Sequence, residues 1–169
     1  MEEQYQHILK AHRTIIYKIC YGFCEQETEV KDLFQDACVN IWLGLNDFQG
    51  RSNIATWIYR VTLNTCLLQA RKKSKNKIRY TNQFPEQHDP VNTEKWTLEA
   101  DIELLYTCIR QLNDKDKSVI MLYLEGLSYK EMETVLGIKQ NALAVRVNRI
   151  KKNIRKQFIN HGRIKNNLG

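Results

Sequence analysis

Proline is nearly missing from this chain, with two among 169 residues, and glycine is sparse at seven. That scarcity excludes collagen-like and proline-rich low-complexity architectures. No uncharged run comes near the ~20 apolar residues that a membrane span needs. The N-terminal residues Met1, Glu2, Glu3 and Gln4 are acidic and lack an apolar core, so no secretory signal is expected and the cytoplasm is the expected compartment. Cysteine occurs five times (Cys20, Cys24, Cys38, Cys66 and Cys108), an odd number without a Cys-x-x-Cys pair. A zinc site wants two close pairs of Cys or His ligands. His7 and His12 precede Cys20 and Cys24 but do not supply that spacing. Thiols that pack as small hydrophobes inside helices, kept reduced by the cytosol, are the expected role. No metal and no cofactor is expected.

Acidic residues are absent from two whole stretches, and this is the informative lack. Residues 51–85 hold eight basic groups and no acidic one, and residues 138–169 hold nine and none. Residues 1–50 and 86–137 carry net charges of −4 and −6, and the whole chain carries +7. An ordinary solvated surface mixes signs. Two acid-free basic blocks mark two places that meet a polyanion, while the acidic blocks face another partner. Charge alone leaves open whether that polyanion is DNA, RNA or a membrane surface. An intrinsic enzyme is not expected. Catalysis on nucleic acid needs metal-binding carboxylates or an acid–base pair inside a basic site. Neither basic block has a carboxylate, His7, His12, His88 and His161 form no motif, and no catalytic residue or small-molecule substrate follows from the chain.

Strand patterns are absent and helical periodicity runs throughout, so the expected class is all-α. Ile8, His12, Ile15, Ile16, Ile19 and Phe23 form one stripe. Val30, Leu33, Phe34, Ala37, Cys38, Ile41, Trp42 and Leu45 form a second, with Thr28 as its expected N-cap. Ser52 is the expected cap of a third helix with Ile54, Trp57, Ile58, Val61 and Leu68 on its apolar side. Three such helices close a small bundle. Periodicity lapses near residues 76–95, where Pro85 and Pro90 disfavour helix, and this segment reads as a linker. Leu98, Ile102, Leu105, Ile109 and Leu112 restart the pattern; Asn113 and Asp114 interrupt and recap it, and Gly126 ends it. The expected organisation is a helical bundle over residues 1–75, a linker over 76–97, a second helical domain over 98–160 and a tail over 161–169.

The sharpest local signal is Ser128-Tyr129-Lys130-Glu131, a capping box. Met132, Val135 and Leu136 follow as a buried side, and Gly137-Ile138 supplies a turn with an apolar plug. A longer helix then carries Leu143, Val147, Ile150, Ile154 and Phe158 on one face and Arg146, Arg149, Lys152 and Lys156 on or near the other. Short helix, glycine turn and long basic helix describe a helix-turn-helix, whose second helix enters the major groove. In the first bundle, Phe48, Gln49, Gly50, Arg51 and Ser52 form a loop beside Trp57, Tyr59, Arg60 and Asn64. Aromatic, guanidinium and amide groups together suit unpaired bases. Trp57 lies on the apolar stripe, where burial is its simpler role.

These residues resemble a known family. Asp32-Leu33-Phe34-Gln35-Asp36, Asp47-Phe48-Gln49-Gly50-Arg51-Ser52 and Thr56-Trp57-Ile58-Tyr59-Arg60 resemble the sigma-two domain of extracytoplasmic-function (ECF) sigma factors. Leu112, Val119-Ile120-Met121-Leu122, Glu125-Gly126-Leu127-Ser128-Tyr129-Lys130-Glu131 and Leu136-Gly137-Ile138 resemble their sigma-four domain. The resemblance implies a bacterial transcription initiation factor that binds core RNA polymerase and promoter DNA, with an anti-sigma factor as a further partner. It implies core-polymerase docking by Asp32, Leu33, Phe34, Gln35 and Asp36. It implies −10 element contact and melting by Phe48, Gln49, Gly50, Arg51, Ser52, Trp57, Arg60 and Asn64. It implies −35 element contact by Gln140, Asn141, Val145, Arg146, Arg149, Lys151, Lys152 and Arg155.

The chain departs from the family at Ala144 and Val145, where a basic and a small polar residue are common, and at Ala55 and Leu63, where basic residues are common. The implied effect is a −35 contact set shifted toward thymine methyls, and fewer phosphate clamps on the −10 helix. The rival reading is a stand-alone helix-turn-helix regulator, which explains the second basic block and leaves the first idle. Such a regulator shifts duplex DNA by itself, whereas a sigma factor needs core polymerase.

Overall fold

A computed structural model describes residues 1–77 and 98–162, and among these seven helices and no strand are found. Most of the expected linker and tail, residues 78–97 and 163–169, lies outside the described residues. The helices are α1 (Glu2–Phe23), α2 (Glu27–Leu45), α3 (Ile54–Lys77), α4 (Leu98–Arg110), α5 (Asp114–Leu124), α6 (Tyr129–Leu136) and α7 (Gln140–Asn160). The all-α expectation holds.

Helices α1, α2 and α3 pack on one another through Ile8, Ile15, Ile16, Ile19, Val30, Leu33, Ala37, Ile41, Ile58 and Leu63, all buried. The caps differ from expectation by one or two residues. Gln26, not Thr28, precedes α2, and its amide donates to the Glu29 carboxylate at 3.4 Å. Asn53, not Ser52, opens α3, its Oδ1 accepting the Ala55 amide at 2.9 Å. Leu68 is exposed, while Leu63 is 2% exposed and belongs to the core. Leu63 is therefore a packing position, and its apolar side chain does not mark a missing phosphate clamp.

Helices α4 to α7 form a second unit. Asn113 caps α5 by accepting the Asp116 amide at 2.9 Å. Gly126, at φ +83°, turns the chain with the Leu127 amide donating back to the Leu122 carbonyl. The capping box forms as expected: Ser128 Oγ accepts from the Glu131 amide at 3.2 Å, and the Glu131 carboxylate accepts from the Ser128 amide at 2.7 Å. Gly137 at φ +69° ends α6, and α7 buries Leu143, Val147 and Ile150. Leu98 and Ile102 of the expected α4 stripe stay exposed, while Ile109 is buried and Leu105 and Leu112 pack on the core as expected; Leu104 and Cys108 are buried beside them. Because Ser128 satisfies an otherwise orphan amide, Ser128→Ala is expected to cost about 1 kcal/mol, readable in a urea melt.

The two units share a core. Helix α1 packs on α4 and α5, and α3 packs on α5 and α6. A Cβ added at Gly22 would lie 2.9 Å from Met121 Sδ, so the absent side chain leaves room for the Met121 thioether against α1. Arg110 stacks over the Tyr21 ring at 4.5 Å, donates to the Tyr21 carbonyl at 3.3 Å and pairs with Glu103. Tyr21 Oη donates to the same Glu103 carboxylate at 2.7 Å. Burial, reinforced by Glu125 and Glu131, pushes the Tyr59 phenol of α3 up.

Candidate nucleic-acid interface

The loop after α2 and the start of α3 enclose a surface cavity of about 220 Å³. Asp47, Phe48, Gln49, Arg51, Ser52, Trp57 and Arg60 line it. Gly50 turns the loop at φ +66°, a left-handed conformation that a side chain strains. The Phe48 and Trp57 rings lie 5.2 Å apart at a 41° tilt. Behind them, a Cβ at Gly44 would come within 2.9 Å of the indole, so the absent side chain lets Trp57 lie against the α2 backbone. Trp57 is half-buried and serves both readings: it packs on Gly44 and also walls the cavity. The sequence pattern did not single out Gly44; a glycine inside an otherwise apolar helix was the available signal.

Not every expected −10 residue joins this site. Asn64 is exposed on α3 and does not line the cavity. Arg60 lines it, yet its Nη2 donates to the Thr134 carbonyl of α6 at 2.6 Å. That carbonyl lies in the last turn of α6, where the helix leaves acceptors open.

On α2 the expected docking motif splits. Asp32, Gln35 and Asp36 are exposed. Leu33 is 3% exposed and sits in the core, so it supports the helix and does not present itself to a partner. Phe34 is half-buried, its ring 5.9 Å from that of Tyr17 and beneath the Arg13 guanidinium. Val39 and Leu43, 53% and 64% exposed, continue the line of Asp32 and Asp36 at helical spacing. They were missed because they lie off the buried stripe; apolar residues on the polar side of a helix are the signal that finds them.

On α7, Gln140, Asn141, Val145, Lys152 and Arg155 are exposed. Lys151 reaches Tyr123, 3.4 Å from its Oη and 5.4 Å from the ring centre. Arg146 and Arg149 both turn toward Asp116 of α5. Arg146, expected among the −35 contacts, is half-buried, and its Nη1 lies 2.8 Å from Asp116 Oδ1.

Comparison with known proteins decides what the two units are. Sigma-70 region 2 matches residues 8–76, and Sigma-70 region 4 matches residues 102–154. The RNA polymerase sigma factor SigZ of Bacillus subtilis (strain 168) is 32% identical over 124 residues, covering 71% of this chain and 67% of SigZ. The ECF RNA polymerase sigma factor SigW of the same organism is 25% identical over 175 residues, covering 93% of this chain and 90% of SigW. The chain belongs to the ECF sigma factors. This sigma factor also shares its fold with RpoE from Bartonella quintana, solved in complex with the anti-sigma factor NepR. The TM-score is 0.72 at 18% identity, over 94% of this chain and 96% of that one. As an ECF sigma factor, it is a transcription initiation factor. The stand-alone regulator leaves the region 2 match unaccounted for. No helix among the described residues is long and apolar enough to cross a membrane.

Proposed function

We propose that residues 1–75 of this sigma factor dock on core RNA polymerase and open the −10 element, while residues 98–160 hold the −35 element. The observation that carries this reading is the walled cavity between Phe48 and Trp57, where Arg51 and Arg60 outweigh the one lining carboxylate, Asp47. Extracting a base from the stack costs a few kcal/mol. Aromatic walls return ~1–3 kcal/mol per stacked base, and a neighbouring guanidinium adds cation–π attraction. The cavity thus favours melted over paired DNA.

The docking face is the outer line of α2, with Asp32, Gln35, Asp36, Val39 and Leu43. Those carboxylates repel DNA, which leaves a protein as their partner. On the second unit, Gln140, Asn141 and Val145 face base edges, Val145 offering an apolar contact for thymine methyls, while Lys152 and Arg155 hold phosphates. Phosphodiester chemistry belongs to the polymerase, and the sigma factor contributes recognition and melting without catalytic residues of its own. It acts in the cytoplasm, where core polymerase is. RpoE's complex with NepR supports an anti-sigma factor as a further partner.

Run-off transcription with bacterial core enzyme tests this. Discrete start sites are expected only when the chain is added. Phe48→Ala should slow promoter melting roughly 5- to 150-fold, the equivalent of one lost stacking contact. Tight binding of the chain alone to duplex DNA, with no start site produced, overturns the reading.

A further inference from the structure

The Asp116 carboxylate is 6% exposed, and every hydrogen bond it accepts is accounted for. Asn113 Nδ2 donates to Oδ2 at 3.2 Å, and Arg146 Nη1 donates to Oδ1 at 2.8 Å. A single nitrogen of Arg149, Nη2, lies 2.9 Å from both oxygens. Burying one carboxylate under two guanidiniums is a large commitment for a helix start whose amide Asn113 already caps. The two arginines differ in what remains. Arg146 faces inward. Arg149 keeps 62% of its side chain exposed, and its Nε and Nη1 donate to nothing among the described residues.

We propose that Asp116 is a positioning residue for promoter reading: it fixes the guanidinium of Arg149 on the exposed side of α7 so that Arg149 discriminates among bases at the −35 element. The proposal rests on the reading that α7 enters the major groove. An untethered arginine carries much rotamer freedom and swings to the nearest phosphate, which adds affinity for any sequence. Held by Nη2, Arg149 offers its remaining donors in one direction, and only an acceptor at the matching place on a base edge meets them. Asp116 also cancels one of the two positive charges, lowering sequence-independent attraction at the same spot. One buried carboxylate therefore exchanges general affinity for selectivity.

The test uses holoenzyme assembled from core enzyme and the full chain, with a promoter library randomised over the −35 hexamer. Bound DNA is sequenced, and affinity for a scrambled duplex is followed against salt. Asp116→Asn should flatten base preference, by roughly tenfold, at the one or two adjacent positions where Arg149→Ala flattens it. It should also steepen the salt dependence by about one phosphate equivalent, because the freed guanidinium gains a phosphate. The double variant Asp116→Asn, Arg149→Ala should show the base preferences of Arg149→Ala alone. Because losing a buried carboxylate can unfold the domain, Arg149→Lys provides an independent route. It keeps the Asp116–Arg146 pair, lacks the fork, and should steepen the salt dependence in the same way. Unchanged base preference in a folded Asp116→Asn chain overturns the proposal, as does an unchanged salt slope in Arg149→Lys. If Arg149→Ala itself leaves every position unchanged, the placement of Arg149 in the groove fails, and this proposal with it. Altered preference in Arg149→Ala but not in Asp116→Asn sinks the positioning role alone.

Discussion

Reversing both charges, Asp32→Lys with Asp36→Lys, should lower affinity for core RNA polymerase by about a hundredfold or more while leaving the thermal melt almost unmoved. Both carboxylates are exposed, and neither forms an ion pair or hydrogen bond among the described residues, so the fold loses nothing when they change. Surface substitutions of that kind stay within about ±0.5 kcal/mol. At an interface the arithmetic differs: a like-charge juxtaposition costs several kcal/mol, and about 2.8 kcal/mol is already a hundredfold. Leu43→Ser should act in the same direction through the exposed apolar end of the line, again without cost to stability. Leu33→Ala makes the contrasting control, since a core leucine truncation costs about 2–5 kcal/mol and shows first in the melt. Binding of the full chain to immobilised core enzyme, with a melt on each variant, separates the cases. Retention of the doubly reversed chain on core at wild-type affinity would remove α2 from the docking surface.

The features legible in the sequence were those whose partners lie within one helical turn. The Ser128–Glu131 box, the Asn113 cap and the glycine stops at Gly126 and Gly137 each join groups three to five residues apart, so residue type and spacing suffice. Caps went astray at Thr28 and Ser52, where the neighbouring Gln26 and Asn53 took the role: which of several polar residues caps a helix depends on the direction from which the loop arrives. Helix α3 was the harder case. It packs on α1 and α2 along one side and on α5 and α6 along another. Its buried residues Ile58, Thr62, Leu63, Thr65 and Cys66 therefore occupy more than one stripe, and a single-face periodicity misplaces Leu63 and Leu68. At the candidate site, the cavity loop was legible as a cluster of aromatic and guanidinium groups. The clamp of Arg146 and Arg149 on Asp116 spans 30 and 33 residues, and the Arg60–Thr134 contact spans 74. Such pairings belong to tertiary structure, and no local pattern announces them.

The Arg60–Thr134 contact leads to the second large effect, an opening of the chain on promoter DNA. The −10 and −35 elements lie about 25 base pairs apart, roughly 85 Å at 3.4 Å per base pair. In the free chain the arginine beside the −10 cavity touches the helix-turn-helix at 2.6 Å. Closed in this way, the helix-turn-helix lies beside the −10 cavity, whereas the promoter separates its two elements by that whole span. The packed arrangement and the promoter-bound one are therefore exclusive, and the 20 residues of sequence between α3 and α4 reach at most about 70 Å when extended, enough to let the units part. Dyes on cysteines introduced at the exposed positions Asn64 and Lys130 should show strong energy transfer in the free chain and lose most of it in a holoenzyme–promoter complex. Labelling can be confined to those sites because all five native cysteines are buried; burial pushes the Cys24 thiol up to about 11 and raises Cys38 and Cys108, and a hydrogen bond with Cys20, together with burial, raises Cys66. Gly22→Leu places a branched side chain where Met121 Sδ already stands, and should lower transfer in the free chain before any partner is added. Equal transfer in free and promoter-bound chains would mean that both elements are contacted from the closed form, which the span of the DNA forbids; the assignment of one of the two surfaces would then have to be abandoned.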